Sequence, residues 1–274
     1  MIQKRIPFTG IRNARDLGGH RTKDGRLLRE HRLIRSGALT RATKEDIRIL
    51  TEEYGVHTIV DFRTLTEYES EPDPEIPGVR MIHDPILKKL EGGLTRQTDS
   101  MPEYERPVEM MMWLAERLGG KALDYMTSLY PVLVTDEHCV THYKSFFELL
   151  LSNEEGAVLW HCTAGKDRAG TGAALVLCAL GVDEDAIIEN YLYTNDCLEE
   201  ETTGLLEEAR ALGAGAELLE EIRILNSVDR RYLEKEFETM KTVYGSMEAF
   251  LEGPLGLTEE KLERLRELYL EGSL

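Results

Sequence analysis

The chain has 274 residues, 42% of them hydrophobic and 31% charged, a balance that suits one large folded domain or two small ones and argues against intrinsic disorder. Its formal charge of -18 is repelled by phosphate backbones and anionic headgroups, so neither nucleic acid binding nor stable membrane association is expected. The longest apolar run, Ala173 to Leu180, is too short to cross a bilayer.

The charge is uneven along the chain. Residues 1–63 hold 14 Lys+Arg against 8 Asp+Glu, a local balance of +6 that leaves -24 for the other 211 residues. This basic N-terminal segment either draws an anion to a local mouth or is a solvated edge with no ligand. Met1 to Pro7 is not followed by the apolar stretch of a secretory signal, so cytoplasmic residence is the expectation. Within about the first fifty residues, Gly18-Gly19 and Asp24-Gly25 are turn signals between the short apolar patches Leu27-Leu28 and Leu33-Ile34, which predicts a hairpin. Thr43 caps a helix from Lys44 to Tyr54, ended by Gly55. Val56 to Val60 reads as a strand that terminates in Asp61-Phe62-Arg63, polar residues at the carboxyl end of a strand, where open α/β sheets hold ligands.

From Asp73 to Pro107 the chain is rich in proline, glycine and charge, with a strand around Val79 to Ile82 and a loop carrying Gly92-Gly93. A helix follows over Val108 to Leu118, whose Met110-Met111-Met112-Trp113 cluster reads as adaptable packing. Another helix spans Asp136 to Leu151. Ala157 to Trp160 is continuously apolar, as a strand buried on both faces would be. An apolar helix covers Ala169 to Leu180, and Asp183 caps a helix through Tyr193. Charged helices occupy Glu199 to Lys241, and a final helix starts at Thr258. The expected fold is a single α/β domain over 1–274, with a mostly parallel central sheet flanked by helices and a helical lid over about 199–241.

Between the apolar strand and the apolar helix lies His161-Cys162-Thr163-Ala164-Gly165-Lys166-Asp167-Arg168-Ala169-Gly170. A tight loop in that position turns successive backbone N–H groups onto one point, and the helix adds its unpaired first-turn donors and the positive end of its dipole. A tetrahedral dianion fits such a cradle. The same field stabilises thiolate over thiol, which marks Cys162 as a nucleophile. Gly165 supplies backbone freedom, and the planar fork of Arg168 can hold two oxygens at once where lysine could not. The other cysteines, Cys139, Cys178 and Cys197, read as reduced packing thiols, since no C-x-x-C pair occurs.

His161-Cys162, five intervening residues and Arg168 together resemble the signature loop of cysteine-dependent protein tyrosine phosphatases. The fuller string Gly165-Lys166-Asp167-Arg168 resembles the atypical bacterial and fungal tyrosine/serine phosphatases, some of which also accept phosphoinositides. Asn13 to Gly19, Arg35-Ser36-Gly37, Asp61-Phe62-Arg63, Tyr232 to Gly245 and Gly256-Leu257 are similar to that family's other landmarks, so the resemblance covers nearly the whole chain. It implies a phosphoric monoester hydrolase that takes phosphotyrosine proteins or other phosphorylated substrates, releases inorganic phosphate and needs no metal or cofactor. Cys162, Arg168 and Asp167 are the expected catalytic residues. Thr163, Ala164, Gly165, Lys166, Ala169, Gly170, Asp61 and Arg63 are the expected substrate contacts.

Alternatives stay open on the residues. The general acid is Asp167, with Asp136 and Asp61 as rivals at a helix start and a strand end. The family commonly has a hydroxyl residue after the loop arginine, where this chain has Ala169, and Thr163 or Thr171 is the stand-in. That departure keeps a non-turning phosphate-binding module in view, and a cysteine in an anion loop also suits a sulfurtransferase. Lys166 either adds a second fixed cation for multiply phosphorylated substrates or neutralises Asp167. Arg63 either meets an anion or pairs with Glu67 on a helix surface, and Arg15 and Asp16 read as a structural turn with an ion pair. Neither the seven histidines nor the dispersed cysteines are read as a metal-ligand set.

Overall fold

The computed structural model describes residues 4–88 and 106–272, so the expected Gly92-Gly93 loop lies outside the described residues. The N-terminal segment forms β1 (Lys4–Arg5), β2 (Arg15–Asp16), β3 (Leu27–Leu28) and β4 (Leu33–Ser36). β1, β2 and β4 pair antiparallel in turn. The expected hairpin shrinks to a turn at Asp24-Gly25, closed by the Thr22 N–H on the Arg26 carbonyl and a single bridge from Arg21 to Leu27. Leu27 and Leu28 pair instead with Glu271 and Leu270 at the other end of the chain.

Thr43 and Asp46 form a reciprocal capping box that starts α1 (Lys44–Arg48). One π-helical turn, Ile49–Glu53, completes the predicted helix before Gly55 turns the chain with φ 60°. β5 (Val56–Asp61), α2 (Leu65–Ser70) and β6 (Arg80–His83) follow, then α3 (Pro107–Leu118), α4 (Ala122–Thr135) and α5 (Glu137–Ser152). α4 has no counterpart in the sequence reading. The remaining elements are β7 (Ala157–His161), α6 (Arg168–Ala179), α7 (Glu184–Leu192), α8 (Thr194–Ala211), α9 (Ala216–Asn226), α10 (Arg230–Tyr244), α11 (Met247–Glu252), α12 (Glu259–Tyr269) and β8 (Leu270–Glu271).

Among the described residues the main sheet runs β1-β2-β4-β7-β5-β6, with β4, β7, β5 and β6 mutually parallel. This is the mostly parallel α/β sheet predicted. The period of two along its strands explains the packing. Leu33, Val60, Val158 and Trp160 enter the larger core with α3 to α12. Ile34, Ile59, Ala157 and Leu159 enter a smaller core with Ile6, Ile11, Leu39 and Leu50. β7 has both faces covered, and all five of its residues are buried, which is why its sequence is continuously apolar. Parallel pairing brings the carboxyl ends of β4, β5 and β7 to one edge, with Ser36 beside His161 and His161 beside Asp61. α8 and α9 pack on α3, and α9 and α10 on α4, beyond that edge.

Candidate active site

The loop after β7 is held from outside by its carbonyl groups. Thr163 O accepts from Arg12 Nη2 at 3.0 Å and from the Ala38 amide at 3.1 Å, and Ala164 O accepts from Asn13 Nδ2 at 3.0 Å. Gly165 O accepts from Arg35 Nη2 at 2.6 Å and Lys166 O from the same nitrogen at 3.4 Å. In a trans peptide the N–H of the next residue points opposite to the carbonyl, so anchoring these four carbonyls outward turns the following amides inward. The arginines and asparagine of the N-terminal segment are therefore scaffold groups beneath the cradle. Gly165 has φ 70°, and a Cβ there would stand 2.4 Å from Ser36 O, so this position admits glycine alone without a backbone shift.

Cys162 is buried at the base, one residue beyond the end of β7. α6 begins at Arg168, and Asp167 at its N-cap makes no side-chain cap bond, so the first-turn donors keep their positive end toward the loop. Arg35 is fully buried below; burial first, and the neighbouring Arg15 second, push it down to about 9. It remains cationic at neutral pH.

The Arg168 guanidinium is gripped by Glu67 of α2. Nη1 donates to Oε2 at 2.6 Å and Nη2 to Oε1 at 2.9 Å, while Thr163 Oγ1 donates to Oε1 at 2.5 Å. The same carboxylate closes the α2 capping box with Thr64. Burial pushes Glu67 up, but Arg168, Thr163 and Thr64 outweigh it and hold the carboxyl at about 2. Burial opposes the charge on Arg168, and Glu67 and the nearby Cys162 sulfur raise it above the ordinary arginine value. Glu67, one of the two partners the sequence offered for Arg63, is instead held by Arg168, 101 residues away.

Arg63 is turned elsewhere. Its Nε and Nη2 bind Asp61, Nη2 also reaches Asp73 at 2.8 Å, and Nη1 donates to Glu71 O. Both Asp61 and Arg63 are 2% exposed. The two expected anion contacts are thus a buried ion pair bracing the end of β5, since each satisfies the other's charge. Beside them His161 Nε2 lies 3.1 Å from Asp73 Oδ2 without an aligned hydrogen bond, and its Nδ1 3.8 Å from Asp61. Ligand atoms of Asp61, Asp73 and His161 fall within 4.8 Å of one another, but Arg63 already holds both carboxylates. His138 and His142, in an H-x3-H spacing one turn apart on α5 with rings 4.1 Å apart, also share a face, although the histidines were not expected to form a ligand set.

Lys166 is also committed, because its Nζ donates to Leu225 O at 2.7 Å and Ser227 O at 3.3 Å, around the carboxyl end of α9, and lies 3.5 Å from Asp167 Oδ2. It ties the loop to the helices above rather than standing free beside Arg168. Asp167 Oδ1 accepts from Tyr130 OH at 2.6 Å. Of the rival acids, Asp136 is spent capping α5 through the His138 and Cys139 amides, and Asp61 is held by Arg63. Ala169 is buried with its carbonyl on Trp160 Nε1, and Gly170 packs against Arg35 and Tyr191, so these two shape the helix start. Both stand-in hydroxyls are engaged elsewhere: Thr163 on Glu67 and Thr171 on Glu236 at 2.6 Å. Asp16 does form a structural turn, accepting from Gly18 and His31 amides, but Arg15 reaches Asn13, Thr194 and Cys197, so the expected ion pair is absent between them.

Residues 6–271 match the tyrosine phosphatase family. The chain belongs to that family. A relative in Cupriavidus necator, named among the tyrosine-protein phosphatases, is 31% identical over 271 residues, covering 97% of this chain and 89% of the relative. A tyrosine-protein phosphatase of Nostoc commune is 27% identical over 85% of this chain and 72% of its own. The triple specificity protein phosphatase PtpB of Mycobacterium tuberculosis is 26% identical, covering 98% of this chain and all of that one. This tyrosine phosphatase is accordingly a hydrolase of phosphorylated substrates, and no helix among its described residues is long and apolar enough to cross a membrane. What sequence reasoning missed in its site are Glu67, Tyr130 and Asp73. Each acts across ten or more residues of chain, where neighbour spacing carries no signal; the nearest cue was the Thr64-x-x-Glu67 capping pattern, which accounts for the helix but not for Arg168.

Proposed function

We propose that this tyrosine phosphatase works through a cysteinyl-phosphate intermediate. Cys162 Sγ attacks phosphorus in line, the S–P bond forms as the ester P–O bond breaks, and Asp167 gives its proton to the leaving oxygen. Water, activated by the Asp167 carboxylate, then attacks the thiophosphate phosphorus, so that the S–P bond breaks and inorganic phosphate leaves. Arg168 and the inward amides of residues 164–167 hold the charge on the equatorial oxygens in both steps. The observation that carries this reading is the outward anchoring of four consecutive loop carbonyls around Cys162.

Phosphotyrosine peptides are the proposed preferred substrates, with phosphoserine, phosphothreonine and phosphoinositides as secondary ones. The breadth is supported by the name of the mycobacterial relative and by a cradle that meets the phosphoryl group through backbone amides, which do not distinguish the alcohol that carries it. Lys166, tied to Leu225 and Ser227, is assigned to joining the loop with a lid of α8 to α10, within one phosphatase domain that spans the chain. Four dispersed cysteines without a C-x-x-C pair and a net charge of -18 fit a cytoplasmic enzyme with no nucleic acid or stable membrane partner. Release of p-nitrophenol from its phosphate ester in EDTA tests the mechanism. Wild type turns over, and Cys162→Ser loses at least about a thousand-fold while still binding phosphate. Activity abolished by EDTA, or retained by Cys162→Ser, overturns it.

A further inference from the structure

Behind Asp167 stands a buried block of tyrosines. Tyr130 of α4 and Tyr191 of α7 are 0% and 1% exposed, their hydroxyls lie 2.5 Å apart, and their rings meet edge to face at 6.1 Å. Tyr232 of α10 stacks on Tyr130 at 5.3 Å. A phenol has one O–H to donate and an oxygen that can accept. Tyr130 donates to Asp167 Oδ1, so its oxygen is left to accept, and the short contact with Tyr191 must run from Tyr191 to Tyr130. Burial, then the charge of Asp167, push both phenols well above the ordinary tyrosine value, and both stay protonated as donors. The chain of donation is therefore directional: Tyr191 to Tyr130 to Asp167 Oδ1.

We propose that Tyr130, backed by Tyr191, is a positioning residue that fixes which oxygen of Asp167 carries the transferable proton. An Oδ1 that already accepts from Tyr130 cannot point a proton of its own along the same line, so the proton sits on Oδ2. Oδ2 is the oxygen on the Lys166 side, and the carboxyl as a whole is 31% exposed, while Oδ1 faces the buried tyrosines. The relay also explains why Asp167, standing at the N-cap of α6, does not cap it: its carboxyl is drawn to α4 instead. The other ionisable groups about this carboxyl are Tyr125 of α4, Tyr232 of α10, Lys166 and Arg168, with Glu236 of α10 acting on Tyr191. None of these donates to Oδ1 among the described residues.

This inference rests on the reading of Asp167 as the general acid, and the test separates the two. Tyr130→Phe keeps the ring and its stacking and removes the hydroxyl alone. Rates are measured against pH on an aryl phosphate and on an alkyl phosphate, whose poor leaving group depends on the acid. The expected result is a basic limb displaced upward by about one pH unit, because the lost bond favoured the charged carboxylate. Alkyl turnover should also fall about five-fold more than aryl turnover. Tyr191→Phe should move both quantities in the same direction by less. A merely structural tyrosine would lower both substrates together and leave the limb in place, and that result overturns the relay. Asp167→Asn is run alongside: if it abolishes the limb while Tyr130→Phe leaves it unmoved, the relay alone falls. If Asp167→Asn retains the limb, the acid assignment falls first and the relay with it.

Discussion

At the scale of single residues, the governing contact is Glu67 on Arg168. A guanidinium has five N–H groups, and Glu67 takes one from each terminal nitrogen, which fixes the plane of the fork and leaves donors for a phosphoryl group. Glu67→Gln keeps the shape and loses the charge. It should lower kcat/KM about ten-fold, with much of the loss in KM, measured on an aryl phosphate. Linkage sets the acid side of stability. The folded carboxyl titrates at about 2, below the ordinary 4.5, so its contribution is fully present above 4.5 and is lost as pH falls toward 2; its size is about 3 kcal/mol. Melting temperatures of wild type and Glu67→Gln should therefore draw together as pH falls below 4.5 and converge only once it has fallen to about 2.

At the scale of elements, α6 and α10 meet at a buried polar contact that acts in the opposite direction. Glu236 of α10 is 0% exposed, accepts one bond from Thr171 Oγ1 of α6 and leaves Oε1 without a partner. Burial pushes its carboxyl up to about 8. Between the ordinary 4.5 and about 8 the folded state holds a proton that the unfolded chain has released, so stability falls as pH rises through that window. Glu236→Gln removes the dependence. Its melting temperature should match wild type near pH 4.5 and exceed it by several degrees above pH 8, by calorimetry. Elements whose signal is local were legible in the sequence: the Thr43 and Asp183 caps and the helix starts at Asp136 and Thr258 each accept a first-turn amide, and β7 was marked by its apolar run. α4 was not legible, because Gly119, Gly120 and the interior Pro131 are stop signals. The helix survives them because Met126, Tyr130, Leu133 and Val134 are buried. Tertiary burial overrides local propensity there.

On the scale of the whole molecule, the loop could be read from Cys162 to Arg168 because its chemistry is contiguous, and the parallel sheet followed from the strand and helix alternation. Of the brace beneath that loop, Asn13 and Arg35 could be recognised as landmarks but not given roles, and Arg12 carried no signal, since each reaches more than 120 residues along the chain. The closure of the domain was invisible for the same reason. β3 pairs with β8, and Tyr269, fully buried just before β8, donates to Leu150 O at 2.8 Å. A chain ending at residue 257, without α12 and β8, should lose cooperative melting or drop sharply in soluble yield; a native-like melting temperature would show that the closure is dispensable. Leu28 and Leu270 stand about 240 residues apart in sequence and side by side in space. At a synthesis rate of about 5–20 residues per second, the Leu27-Leu28 edge emerges from the ribosome and waits tens of seconds, or about twelve at the fastest, for its partner to be made. For that interval the nascent chain carries an open strand edge, so its safe birth depends on what shields two leucines while the rest is still being translated.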